Sequence, residues 1–374
     1  MKQRLPHIYP ALRPLAFLYG LGVRLRNQLF DRGILTSKSF DTPVLCVGNL
    51  TVGGTGKTPH TEYLIRLLQQ EFRVAVLSRG YKRKSKGYLL ADAQTPMAQL
   101  GDEPYQMKHK FPAIQMAVDA DRCHGIEQLT QQPAEQRPEV ILLDDAYQHR
   151  YVKPGLTLLL IDYHRPVYDD LLLPAGRLRE PVKGKARAQA VIITKCPQGV
   201  PAEECQRIAE RLQLTPQQPL FFTTLRYGAL TPLFNRSLEA RPLESLKPEE
   251  QVLLLTGIAS PARLVEELSK HTSAVRSLYY PDHHAFTPKD LQQIAQTFRS
   301  LDPAHRLVIT TEKDATRLLD LPLSEEIKRN IYTLPIEVEF LHGQAQQFNQ
   351  YITNYVRTNS RNSILLAGKN AHES

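Results

Sequence analysis

The segment VGGTGKTP, residues 52–59, follows the apolar run PVLCV, the tripeptide GNL and Thr51. A strand leading into a glycine-rich turn brings backbone N–H groups close to phosphate oxygens. A lysine then reaches the outer phosphates, and a hydroxyl at the start of the next helix reaches a metal ion. Gly53, Gly54 and Gly56 supply the turn, Lys57 the cation and Thr58 the hydroxyl, so Thr51 to Thr58 (with Val52 and Thr55) read as a nucleotide-binding loop. Thr51 stands where the strict pattern has its first glycine. Pro59 is compatible with a helix start, where an N–H has no partner to lose.

Such a loop needs an acid at the end of a neighbouring buried strand to help hold magnesium. The run EVILLDDAYQH offers Asp144 and Asp145; one aspartate at a strand end could equally be a turn cap, whereas two favour the metal role. The segment TKCP has Thr194 and Lys195 but places Pro197 where a guanine-reading aspartate would stand, which favours ATP. In GDEP, Asp102 could act as a carboxylate base or cap a helix, and both readings stay open. Arg79, Lys82, Arg83, Arg177 and Arg179 suit phosphate or a solvated surface. PDHHAF adds Asp282, His283 and His284; adjacent histidines on an extended chain diverge, so a carboxylate–imidazole role fits better than a two-histidine metal site.

The elements that must position these groups follow from hydrophobic patterning. PVLCVGNL, RVAVLSRGY, AIQMAV, EVILLDD, LTLLLID and AVIITK are apolar throughout, as in strands buried on both faces. They predict an α/β chain with a doubly wound, mainly parallel sheet. A polar, proline-containing stretch interrupts the rhythm near Thr224, after which a second, smaller α/β set begins with VLLLTGIA. The reading divides the chain into an N-terminal segment 1–35, a core domain 36–224, a smaller domain 225–340, and a C-terminal helix with a polar tail, 341–374.

With 374 residues, 42% hydrophobic and 23% charged, the chain suits a globular fold. Its four cysteines contain no C-x-x-C pair, so spacing suggests neither a disulfide framework nor a zinc site built on cysteine pairs. The formal charge of +9 favours an anionic partner. The basic stretches carry no recognised nucleic-acid motif or aromatic platform, which argues against nucleic acid. No acid precedes Asp31, while Lys2, Arg4, Arg13, Arg24 and Arg26 flank the apolar run LAFLYGLGV. That run is too short to span a bilayer. Leu18, Leu21, Leu25 and Leu29 share a helical face opposite Arg13 and Arg24, as in a helix lying in a membrane interface or one packed on its own domain. Gly20 and Gly22 weaken either helix.

Taken in order, VGNLTVGGTGKTP, SRGYKR, GDEP, DDAYQH, PAGRLREP, TGIASP, DHHAF and TTEKDATRL resemble the tetraacyldisaccharide 4'-kinase (lipid A 4'-kinase) family over about residues 40–340, Thr51 included. The resemblance implies a P-loop NTPase-like core, a smaller lid-like domain and an amphipathic segment on the cytoplasmic face of the inner membrane. It implies transfer of the ATP γ-phosphate to the 4' hydroxyl of a lipid disaccharide 1-phosphate, in contact with an anionic membrane surface. Carried onto this chain, it makes Lys57 and Thr58 grips for ATP and Mg2+, and Asp102, supported by His283, the base. Glu103, Asp144 and Asp145 complete the magnesium environment with Gln148 nearby, and Arg79, Arg122 and Arg177 are substrate contacts. The competing expectation is a membrane-associated phosphate-loop ATPase that switches a protein partner.

Overall fold

The computed structural model describes residues 8–235, 237–258, 261–281, 284, 286–319 and 321–370. It divides into two compact units, one made of the chain up to Leu225 together with Val338 onward, the other of Arg226–Glu337.

The first unit is built on a nine-stranded sheet. Its strands are β1 (Val44–Gly48), β2 (Val74–Ser78), β3 (Leu89–Leu90), β4 (Gln115–Val118), β5 (Val140–Asp144), β6 (Leu156–Asp162), β7 (Ala190–Thr194), β8 (Leu220–Tyr227) and, after the second unit, β14 (Ile336–Phe340). Their order is β14-β8-β7-β6-β1-β5-β2-β4-β3. Every pairing from β8 through β7, β6, β1, β5 and β2 to β4 is parallel, and β3 runs antiparallel to β4. β1, β2, β5, β6 and β7 are buried along their whole length, because side chains of alternating direction both meet apolar neighbours. Val44 and Cys46 of β1, Ala75 and Leu77 of β2 and Ile141 and Leu143 of β5 enter one core cluster; Leu159, Ile161, Val191 and Ile193 of β6 and β7 enter another. This is the doubly wound, mainly parallel α/β architecture expected from the apolar runs.

Its helices include α1 (Arg13–Asp31), α2 (Lys57–Leu68), α3 (Met97–Leu100), α4 (Asp102–Lys110), α5 (Arg122–Thr130) and α6 (Ala202–Leu212). The C-terminal helix Ala345–Asn370 buries Phe348, Ile352 and Val356 and meets α2 through a Tyr63 hydroxyl donating to Asn349 at 2.8 Å. It extends to Asn370, through part of the segment whose polarity reads as a tail. α1 is continuous through both glycines. Gly20 is there for close approach, since a Cβ would lie 2.6 Å from Leu172 Cδ1, whereas Gly22 faces open space.

The second unit holds a five-stranded sheet of β9 (Thr231–Pro232), β10 (Gln251–Thr256), β11 (Ala274–Tyr279), β12 (Arg306–Thr311) and β13 (Ile331–Leu334), in the order β11-β10-β12-β13-β9. Only β9 is antiparallel to its neighbour. Val252 and Leu254 of β10 serve one core cluster and Leu253 and Leu255 the other, so this sheet too is covered on both faces. The helix Pro288–Arg299 opens on a capping box between Thr287 and Asp290.

Candidate active site

The register Val47↔Asp144 places the carboxyl end of β5 beside the exit of β1. Open parallel sheets bind ligands at this edge. The glycine-rich segment leaves β1 at Gly48 and enters α2 at Lys57. Gly53 and Gly56 adopt φ of 95° and 84°, a left-handed backbone that a side chain would strain. Thr51 needs no such freedom. It is buried and forms an antiparallel bridge with Leu178, so its backbone is extended where the strict pattern has glycine.

The loop is braced from several sides. Buried Asn49 donates through Nδ2 to Thr55 Oγ1 at 2.9 Å, and the Thr194 hydroxyl donates to the Thr55 carbonyl at 2.8 Å. Arg165 donates to the Gly54 carbonyl at 3.1 Å, and Lys195 donates to the same carbonyl; both cations also pair with buried Asp162, at 2.8 and 3.0 Å. The His60 ring joins the Gly56 carbonyl at 2.7 Å to Thr223 Oγ1 at 3.0 Å. Burial pushes its pKa down to about 4, so it is a neutral brace at physiological pH. The Val52 N–H donates to the Arg177 carbonyl at 2.8 Å.

Above this loop the charged groups converge. Lys57 Nζ lies 3.5 Å from Asp145 Oδ1, and Arg179 Nη1 donates to the same carboxylate at 3.3 and 3.4 Å and to Gln148 Oε1 at 3.3 Å. Gln148 Nε2 in turn donates to the Asn49 carbonyl at 2.7 Å. Asp144, almost wholly buried, accepts from the hydroxyls of Thr61 at 3.5 Å and Ser78 at 3.4 Å. Burial, then Glu103 and Asp145, raise its pKa to about 7; Lys57 and Arg122 oppose the rise. Glu103, Asp144, Asp145, Lys57 and Arg122 thus belong to one electrostatic group. Arg122 is buried at the start of α5, where it donates to the carbonyls of Asp119 at 3.2 Å and Ala120 at 2.9 Å. Burial and the charge of Arg79 lower its pKa.

Of the other residues singled out by sequence, Thr58 is half-buried in the first turn of α2 and Asp102 is the first residue of α4, next to Glu103. Arg79 is exposed and acts on Arg122 through its charge. Arg177 meets the loop through its backbone, its N–H donating to Asp170 Oδ1 at 3.0 Å. His283 lies outside the described residues, as does Asp282. Its neighbour His284 pairs through Nε2 with Asp290 at 2.9 Å and stacks on Tyr280.

Sequence reasoning passed over Asn49, His60, Asp162 and Arg165, noted Arg179 only as a basic residue, and read Thr194 and Lys195 only against a guanine rule. An asparagine closing an apolar run was the available signal for Asn49. Apart from the local pairs His60–Gly56 and Arg165–Asp162, the bonds made by the others are tertiary and leave no local spacing.

α1 is fastened to these same segments. Tyr19 Oη donates to the Arg179 carbonyl at 2.8 Å, Arg26 donates to the Gln148 carbonyl, and Arg150 donates to the Asn27 carbonyl at 3.0 Å and to Asp31 at 2.7 Å. Its other side leaves Phe17, Leu18, Leu21 and Leu25 each more than half exposed. No helix among the described residues is long and apolar enough to cross a membrane.

The family model for tetraacyldisaccharide-1-P 4'-kinase matches residues 8–357. A tetraacyldisaccharide 4'-kinase of Phocaeicola vulgatus is 55% identical over 364 residues, covering 97% of this chain and 99% of the relative. One of Bacteroides thetaiotaomicron is 54% identical over 382 residues, with both chains fully covered. Among solved structures, the "apo" form of LpxK from Aquifex aeolicus in complex with ATP aligns with a TM-score of 0.70 and 29% identity, covering 92% of this chain and 98% of that one. The chain belongs to the tetraacyldisaccharide-1-P 4'-kinase family.

Proposed function

We propose that the chain transfers the γ-phosphate of ATP to the 4' hydroxyl of a tetraacyldisaccharide 1-phosphate, working as a peripheral or monotopic enzyme on the cytoplasmic face of the inner membrane. Family membership supports the kinase activity. The observation that carries the assignment of the site is the convergence of Lys57 with Glu103, Asp144 and Asp145 at the mouth of the phosphate loop.

ATP supplies the phosphoryl group, and a bound Mg2+ would supply positive charge against the phosphates. Hard carboxylate oxygens with a neighbouring threonine hydroxyl suit Mg2+. The raised pKa of Asp144 comes first from burial and then from Glu103 and Asp145, and a cation bound beside it would favour its ionised form. Thr58, Glu103, Asp144 and Asp145 would hold the ion. Residues 51–58 would wrap the phosphates, with Lys57 leaving Asp145 for the outer oxygens. Asp102 would take the proton of the 4' hydroxyl; His283 is assigned by the family resemblance to support it. Arg79, Arg122, Arg177 and Gln148 would face the phosphorylated sugar, and the apolar side of α1 would enter the bilayer surface while its other side grips the site.

The test uses ATP labelled at the γ-phosphate with protein in mixed micelles, with and without the disaccharide acceptor. Label should appear in the lipid, and Lys57→Ala should reduce that rate by about 10²–10³-fold, the scale of losing one preorganised electrostatic group. Release of free phosphate at the same rate with or without acceptor, and no labelled lipid, would favour the ATPase-switch alternative.

A further inference from the structure

We propose that Asp121, Cys123 and His149 form a binding site for one thiophilic divalent transition metal ion of the Zn2+ class. The donor atoms of these three side chains all lie within 4.8 Å of one another. Asp121 and Cys123 sit at the start of α5, and His149 on the crossover from β5 to β6, so the fold and not a sequence spacing brings them together.

Each donor is suitably disposed. Asp121 caps α5 through a single oxygen, Oδ1, which accepts from the N–H groups of Cys123 at 2.9 Å and His124 at 3.3 Å. The Cys123 thiol donates to the Tyr151 carbonyl at a long 3.4 Å. His149 Nε2 is buried without a protein hydrogen-bond partner, an expensive state for a ring nitrogen. Burial and Arg122 hold its pKa down to about 4, which keeps the imidazole in the neutral form that metals bind. The adjacent His124 is committed elsewhere, to Asp119 at 2.7 Å.

The donor set determines the metal class. One thiolate, one imidazole and one carboxylate suit Zn2+ and its open three-ligand sites and not Mg2+, which takes oxygen ligands. Ligand bonds of about 2.0–2.3 Å in a tetrahedron would bring the donors to roughly 3.3–3.8 Å from one another, a contraction that side-chain rotation can supply. Binding converts the thiol to a thiolate and releases its proton. The thiolate and Asp121 then offset the charge of the ion beside Arg122. The hard carboxylates Glu103, Asp144 and Asp145 form a separate group, so the two ions would sort by ligand chemistry.

The experiment titrates Co2+, a spectroscopic stand-in for Zn2+, into chelator-treated full-length protein kept in saturating Mg2+. One equivalent should produce a near-ultraviolet thiolate-to-cobalt charge-transfer band that Zn2+ abolishes. Cys123→Ser should remove the band, and His149→Gln or Asp121→Asn should weaken Co2+ affinity by about tenfold or more, since loss of even an outer-shell partner costs that much. Cys205, 3.4 Å from His342, is the competing thiol, so Cys205→Ser must retain the band. A protein without a thiolate band at saturating Co2+, or a band that survives Cys123→Ser, overturns the proposal. If Cys123→Ser fails to fold, an unchanged Co2+ affinity in His149→Gln overturns it equally. The readout is independent of the kinase reaction.

Discussion

Asp144 is buried with two other acids nearby, and its pKa of about 7 stands well above the ordinary 3.8. Between those values the folded chain holds a proton that the unfolded chain has released. Its contribution to stability is therefore full below about pH 4 and is lost as pH rises through about 7. In chelator, the melting temperature of wild type should fall between about pH 5 and pH 8 more steeply than that of Asp144→Asn, and Mg2+ should restore more of the wild-type loss at the upper end. Parallel melting curves for the two proteins would mean that Asp144 carries no such charge burden. Asp102 calls for a kinetic measurement. A sugar hydroxyl is a weak nucleophile, and if Asp102 and His283 serve one proton transfer, either alanine substitution disables the same step. Each should lower kcat far more than ATP affinity, and the double variant should be little worse than the poorer single. Losses that multiply would separate their roles and leave Asp102 to the start of α4.

At the scale of elements, the wholly apolar strands were legible because burial on both faces leaves a local mark. The placement of β14 beside β8 was not, since more than a hundred residues separate the beginnings of the two strands. The glycine-rich turn between β1 and α2 was legible from its glycines, lysine and threonine. The brace that His60 makes to Thr223 was not, because it depends on a sheet order that periodicity does not encode. α1 shows both sides of this limit. Its apolar face could be read from Leu18, Leu21 and Leu25, but the grip of Tyr19 and Arg26 on the segments of Arg179 and Gln148 could not. Gly20, read as a weak point, is a contact with Leu172. If the apolar face enters a bilayer surface, Leu21→Asp and Leu25→Asp should each weaken binding to anionic vesicles by about tenfold or more, as burying a leucine is worth roughly 1.5–3 kcal/mol. ATP affinity should stay unchanged. Equal vesicle binding by wild type and both variants would remove α1 from the membrane contact.

For the whole molecule, 47 basic residues against 38 acidic ones give the chain its charge of +9, and α1 adds Arg13 and Arg24 to an end of the chain that has no acid before Asp31. An anionic leaflet attracts such a surface by about 1 kcal/mol for each basic side chain near it, within a Debye length of about 8–10 Å at physiological salt. The charges of the proposed site are less open to screening, since the Lys57 side chain is only 13% exposed and Asp144 is buried. Salt should therefore act mainly on the encounter with the membrane and much less on the chemistry. Raising monovalent salt from about 50 to 200 mM should increase the apparent KM for acceptor presented in anionic vesicles by roughly tenfold or more, the loss of one to two such attractions. The same change should alter turnover of a short-chain, water-soluble acceptor only slightly. Comparable losses on the two acceptors would place the salt sensitivity in binding of ATP or the sugar phosphate, and the basic surface would then have no part in bringing the enzyme to its lipid.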